Sequence, residues 1–321
     1  TLVVEIEGEK RLQAPRQHFS DVMLFGNVMF TPGVLQWCSE AGIALTCLST
    51  TGRYVCRMVG PTSGNVLLRM SQYRAADCED TALGLARDFV AGKLQNMRST
   101  LLRSARDTDD AKAEARLRQA ARSMAQAGTA LPRMEALNQI RGTEGDASNT
   151  YFSVLNCMIR TEDRKMWFYG RTRRPPRDSI NALLSFLYAL LSHDCRSALE
   201  AVGLDPQVGF LHALRPGRPS LALDLMEELR SVVVDRLALT LVNRDQARSE
   251  QFIGRPGGSV QMSDDLRRSV IEAYQTLKQR EITHHFLEQK VTWGEAPLVQ
   301  AKLLARRLRG ELEQYPAFLY R

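Results

Sequence analysis

Short apolar runs broken by glycine and proline fill the first part of the chain. Val3, Ile6, Val22, Leu24, Phe25, Val28 and Phe30 fall in such runs, and Gly8, Pro15, Gly26, Pro32, Gly42, Gly52, Gly60 and Gly64 punctuate them. That spacing predicts short strands joined by turns. The apolar stretch 43–48 predicts a buried strand, and Thr51-Gly52-Arg53 predicts a turn into another. The chain opens in mid-pattern, with LVVEIEGEKR, so some native N-terminal residues are expected to precede it.

From about Val66 the period changes. Glycine and proline thin out, and Leu83, Ala86, Phe89, Val90 and Leu94 recur at helical spacing. Residues 103–124 are rich in Ala, Arg, Asp and Glu with few large apolar side chains, which predicts a solvated helix or helix pair. Residues 131–152, 179–191, 221–242 and 264–287 predict further helices. Asp178 or Ser179 is placed to cap the second of these and Asp264 the last. The expected fold class is α+β, with a small N-terminal β domain over 1–70 and a larger all-α domain over 71–321.

Composition changes this picture little. The 321 residues are 44% apolar and 25% charged, as in an ordinary soluble globular protein. No apolar run approaches the ~20 residues of a membrane helix, and no secretory signal opens the chain, so no membrane association and a cytoplasmic location are expected. An excess of 43 Lys and Arg over 36 Asp and Glu fits a polyanion partner, and equally fits simple solubility. The six cysteines form no Cys-x-x-Cys pair, which argues against a zinc cluster and for small core residues in a reducing compartment. Neither a Walker loop nor a Gly-x-Ser-x-Gly elbow is present, and Gly254–Ser259 reads as a hairpin or helix connector.

Three places carry candidate chemistry. On a helix, Glu144 shares a face with Leu137, Ile140, Ala147 and Tyr151. A carboxylate in an apolar stripe needs an ion-pair partner or a bound cation. Gly142 and Gly145 beside it leave room for another backbone or a ligand. A buried salt bridge is the plainer alternative. Asp224 and Glu227 lie at i and i+3, so both project from one side of a helix, where a divalent cation would relieve their repulsion. A solvated acidic face is the common alternative. His212 ends the apolar run 208–211 and precedes Arg215-Pro216-Gly217-Arg218-Pro219, a position more often held by a core histidine than by a ligand. One Glu, one His and a further carboxylate would make a hard donor set for Mg²⁺ or Mn²⁺, with the imidazole tilting the choice to Mn²⁺.

Between these segments lies a basic stretch. Arg160, Arg164, Lys165, Arg171, Arg173, Arg174 and Arg177 face only Glu162, Asp163 and Asp178, with Trp167, Phe168 and Tyr169 interleaved. Cations for phosphates and rings for unpaired bases suit nucleic acid. The alternative is a solvated loop whose rings pack on the core.

The segments RGTEGDASNTYF (141–152), GRTRRPPRDSINALLSFLYALL (170–191), GLDPQVGFLHALRPGRPSLALDLMEELR (203–230) and VDRLALTLVN (234–243) resemble the CRISPR-associated Cas-one family, most closely its type I-C forms. GPTSGNVLLRMSQYR (60–74) is similar too, and the resemblance runs over nearly the whole chain. It implies a homodimer in which Glu144, His212 and Glu227 ligate the divalent metal and Asp224 is a nearby acidic residue. It places Asn181 and Tyr188 on a helix bordering the site, as secondary candidates for DNA contact. The implied activity is that of a DNA integrase and endonuclease. A 3′-hydroxyl of a captured double-stranded fragment attacks a phosphodiester of the CRISPR repeat. The implied partners are a Cas-two-like small protein and, in this subtype, a Cas-four-like nuclease. Two other readings compete: a DNA-binding scaffold without chemistry, and a small-substrate metallohydrolase, which leaves the basic aromatic stretch unexplained.

Overall fold

The computed structural model describes residues 1–15, 19, 21–50, 54–58, 60, 65–173 and 175–320. The chain divides into two compact units, Thr1–Gly64 and Asn65–Arg321.

In the first unit, β1 (Leu2–Ile6) and β2 (Glu9–Ala14) pair as an antiparallel hairpin. A separate sheet has the order β3 (Asp21–Phe25), β4 (Ala44–Leu48), β5 (Tyr54–Met58). The expected turn at 51–53 lies outside the described residues. Strands β3 and β4 are parallel, and parallel neighbours need a crossover. Helix α1 (Pro32–Ala41) supplies it. This region read as β throughout, so the helix is a correction. Val28 and Phe30 belong to the connection before it, exposed and outside any strand. The local signals for α1 are plain in hindsight. Thr31 Oγ1 accepts from Val34 N at 3.4 Å, Pro32 opens the helix, and Gly42 closes it at φ 66°. Cys38, Ile43 and Leu45 form the small core beneath, packed by Phe19, Val22, Leu24 and Trp37.

The second unit is helical. Helices α2 (Val66–Asp77), α3 (Glu79–Arg106), α4 (Ala111–Ala130) and α5 (Leu137–Ser153) come first. The stretch 103–124 is a helix pair, broken where Asp110 Oδ1 accepts from Lys112 N at 2.8 Å to start α4. Helix α6 (Ser179–Val202) starts at Asp178, whose Oδ1 accepts from Asn181 N at 2.7 Å. Leu183, Leu187 and Leu191 of α6 are buried. The stretch 221–242 is not one regular helix. It comprises α7 (Ser220–Leu229), a π-helical turn (Arg230–Asp235) and α8 (Arg236–Asn243). Helix α9 (Asp264–Lys278) is capped by Ser263 rather than Asp264, with Ser263 Oγ accepting from Leu266 N. It stops nine residues before the expected end at 287, because 281–284 leave helical geometry for a strand. Helix α10 (Ala296–Leu308) is the last.

The second unit is therefore not purely α. Two hairpins interrupt it, β6 (Phe252–Arg255) with β7 (Ser259–Met262), and β8 (Glu281–His284) with β9 (Gln289–Thr292). The first turns at Pro256–Gly258, as the connector reading allowed. Of the cysteines, Cys38 and Cys195 are buried, Cys47 and Cys157 half-buried, and Cys56 and Cys78 exposed. The core assignment thus fits the first two fully and fails for Cys56 and Cys78. Among the described residues, no helix is long and apolar enough to cross a membrane.

Candidate functional site

Helices α3, α5 and α7 and the connection before α7 converge on a cavity of about 340 Å³. Lys93 reaches it from α3, Glu144 from α5, Glu227 from α7 and His212 from the connection. The Lys93 ammonium pairs with Glu144 Oε1, lies 2.6 Å from Glu227 Oε2 and donates to Ser148 Oγ at 2.9 Å. The approach to Glu227 Oε2 is a close ion pair between two buried side chains. On its other oxygen, Glu227 meets Arg230 at 3.0 Å and His212 Nε2 at 3.7 Å. Burial pushes the Glu227 carboxyl up, but the charges of Arg230 and Lys93 override it and hold the group at about 2.

Glu144 is less buried than its apolar stripe suggests, with 24% of its side chain exposed. Ile140, Ala147 and Tyr151 are buried as expected. Among the described residues, a Cβ added at Gly142 or Gly145 would meet nothing within 4 Å outside their own helix.

Asp224 and Glu227 do share α7, and they meet opposite ring nitrogens of His212, Nδ1 and Nε2. The fully buried Asp224 turns to the connection. Its Oδ2 accepts from Phe210 N at 2.6 Å and Leu211 N at 3.0 Å, and its Oδ1 from His212 N at 2.9 Å. His212 Nδ1 lies 2.6 Å from Oδ1. A carboxylate there takes the Nδ1–H, which leaves the Nε2 lone pair on the Glu227 side. Asp224 is therefore placed to hold His212 rather than to share a cation with Glu227. Only glycine fits at 209, because a Cβ there would stand 2.5 Å from Asp224 Oδ2 and 2.8 Å from Leu221 N. Gln72, buried on α2, clamps the same connection: its Nε2 donates to Asp205 O and Val208 O, and its Oε1 accepts from Asp205 N, each at 2.8 Å.

Arginines ring the cavity: Arg141, Arg173, Arg215, Arg218 and Arg230 all line it. Tyr188 lines it as well. Its hydroxyl donates to Asp235 Oδ1 at 2.5 Å, and its ring lies 5.4 Å from the Arg171 guanidinium and 5.0 Å from that of Arg230. Burial pushes Asp235 up to about 6 despite the two tyrosine hydroxyls and two arginines beside it.

The basic stretch divides. Arg173 joins the cavity, whereas Arg164, Lys165 and Arg177 are exposed and outside its lining. Arg174 lies outside the described residues. Arg171 is spent inside the chain, on Thr172 O, Asn181 Oδ1 and Ser185 Oγ. Asn181 is fully buried, donates to Gly170 O and Asp178 Oδ2, and accepts from Thr172 N. Asn181 thus shapes the loop, with both its amide donors used inside the chain, and Arg171 is anchored to that loop through Nη1. Phe168 stacks on Phe152 in the core, while Tyr169 is 71% exposed. Sequence reasoning passed over Lys93, Gln72, Arg141, Arg215, Arg218 and Arg230. Lys93 left one signal, a charge inside the stripe of Phe89, Val90 and Met97.

Among the described residues, no three His, Cys, Asp or Glu side chains are already grouped for a metal ion. The donor chemistry nevertheless fits one. Two carboxylates on different helices already share one cation, the Lys93 ammonium, and an imidazole faces one of them. This is a site of acidic and imidazole donors inside an arginine ring, suited to a cation and an anionic substrate together.

The family described as CRISPR associated protein Cas1 matches residues 1–276. The CRISPR-associated endonuclease Cas1 1 of Moorella thermoacetica is 46% identical over 321 residues, covering 100% of this chain and 94% of that one. A CRISPR-associated exonuclease Cas4/endonuclease Cas1 fusion of Geobacter sulfurreducens is 36% identical over 324 residues, covering 100% of this chain and 57% of the fusion. The chain belongs to the Cas1 family. Its fold is that of a Cas1 protein from Thermotoga maritima, with a TM-score of 0.81 at 24% identity over 98% of this chain and 93% of the other. A chain of a Cas6-RT-Cas1–Cas2 complex also matches, with a TM-score of 0.82 at 22% identity over 99% of this chain and 34% of that one.

Proposed function

We propose that the chain is a divalent-metal-dependent DNA endonuclease and integrase. It joins the 3′-hydroxyl of a captured fragment to a phosphodiester of the CRISPR repeat. The observation that carries the reading is that Glu144 and Glu227 share one cation position, with His212 facing Glu227, inside an arginine-lined cavity. Family membership and the endonuclease named at 46% identity support it. Glu144, His212 and Glu227 would hold Mg²⁺ or Mn²⁺. When bound, such an ion acidifies a hydroxyl and offsets charge developing on a phosphodiester.

The chain's own residues do the rest. Asp224 fixes the ring and tautomer of His212. Arg230 anchors Glu227. Arg141 is itself oriented by a 2.6 Å bond to Leu211 O, and with Arg173, Arg215 and Arg218 it neutralises phosphates flanking the reacting one. Arg164, Lys165 and Arg177 extend DNA contact beyond the cavity, and Arg174 is a further DNA-contact candidate. We further assign a homodimer acting in the cytoplasm on double-stranded DNA, in a type I-C setting. Its partners are a Cas2-like protein and a Cas4-like nuclease, the latter in keeping with the Cas4/Cas1 fusion at 36% identity.

The test is transfer of a labelled duplex into a supercoiled repeat plasmid, with Mn²⁺, Mg²⁺ or chelator and the small partner present. Product should require metal and vanish in Glu144→Ala while DNA binding persists. Product in chelator, or in Glu144→Ala, sinks the metal assignment. Binding without product under any metal favours a scaffold.

A further inference from the structure

Lys93 is only 3% exposed, in the middle of α3. A buried ammonium is costly unless paired. Here it is paired twice, with carboxylates carried by two other helices. Among the described residues, Glu144 has no other ion-pair partner. Glu227 keeps Arg230 on its second oxygen. His212 is tied to Asp224 through Nδ1. Arg230 and Asp224 therefore fix two of the donors independently of Lys93. Without the ammonium, Glu144 and Glu227 would face each other as like charges.

We infer that Lys93 is a built-in counter-cation for the metal site. Its ammonium holds the Glu144 and Glu227 carboxylates together before the ion arrives, competes with the ion for them, and so keeps metal affinity weak. The inference rests on the reading that Glu144, His212 and Glu227 hold a divalent ion. An ammonium on a four-carbon stem is free to swing away, and Lys93 lines the same cavity as the arginines, so the displaced charge stays beside the anionic substrate. A purely structural salt bridge makes the opposite prediction, because removing it would loosen the donors and weaken metal binding.

Mn²⁺ binding to the full chain decides between them, read by calorimetry and by the Mn²⁺-induced rise in Tm. The variants are Lys93→Met, Lys93→Arg and Glu227→Gln. Lys93→Met should bind Mn²⁺ about tenfold or more tightly than wild type, with a lower Tm in chelator and a larger rise on adding Mn²⁺. Lys93→Arg should bind no more tightly than wild type. Half-maximal strand transfer in Lys93→Met should then need less Mn²⁺. Unchanged or weaker binding in Lys93→Met, with Glu227→Gln still abolishing binding, overturns the inference alone. If wild type binds no Mn²⁺, or Glu227→Gln binds it equally well, the metal reading itself fails. A Lys93→Met chain that folds only with Mn²⁺ supports the inference, and one that folds under neither condition overturns it in favour of a structural lysine.

Discussion

Four donors converge on the Asp224 carboxylate, three backbone N–H groups and His212 Nδ1. An asparagine has one acceptor oxygen, and its amide would face at least one of those donors. Asp224→Asn should therefore destabilise the fold by about 1–3 kcal/mol, the cost of buried groups left unpaired. It should also release the His212 ring and lower strand transfer by about 10–100-fold, as for other residues that orient a metal-binding histidine. Urea melts and single-turnover rates measure the two effects separately. Full activity in the variant would mean that His212 is oriented by something else. The sequence placed Asp224 and Glu227 correctly on one helix side. It did not reveal that the loop at 209–212 claims the first of them, because that depends on Gly209 lying against α7. Likewise, the stripe around Glu144 predicted a carboxylate in need of a cation. The partner, 51 residues earlier on α3, lay beyond any local pattern.

Elements were legible where the periodicity was long and misread where local geometry broke it. The apolar pattern over 221–242 is continuous, so nothing in it marks the π-helical turn at Arg230–Asp235. Yet that turn brings Arg230 to Glu227 and Asp235 to Tyr188, and such bulges are often found at functional sites. The C-terminal segment 315–320 gave no helical or strand signal, and it matters through hydrogen bonds. Glu228, fully buried beside Glu227, accepts from Tyr315 OH at 2.6 Å, Gln300 Nε2 at 3.1 Å and Phe318 N at 2.6 Å. Asn96 of α3 donates to both Glu228 O and Phe318 O, so the segment braces the helices that bear Lys93 and Glu227. Tyr315→Phe deletes one donor to a buried carboxylate and should cost about 1–3 kcal/mol in a urea melt. A loss under about 0.5 kcal/mol, within the range of a neutral surface change, would show that the segment contributes little to holding α7.

Across the whole molecule, opposing carboxyl shifts give stability a maximum in pH. Burial raises Glu228 to about 7 and Asp235 and Asp88 to about 6. These groups keep protons in the folded state that the unfolded chain releases near its ordinary carboxyl range of about 4. Their contribution is therefore greatest at or below that range and is lost as pH climbs toward 7. Glu227 works in the other direction. Held at about 2, it contributes stability above the ordinary range and loses it as pH falls toward 2. Melting in chelator between pH 2 and 8 should show a maximum near pH 4–5, with a decline on both sides. The formal charge of +7 at neutrality grows as carboxylates protonate, which steepens the acid limb through self-repulsion. Asp88→Asn should flatten the upper limb and leave the acid limb unchanged, since Asp88 touches the Tyr315 backbone N–H and not the cavity. A stability that instead rises from pH 4 to 7 would mean that hydrogen-bond donors outweigh burial at these three carboxyls. The bracing of α7 by the C-terminal segment would then strengthen toward neutral pH.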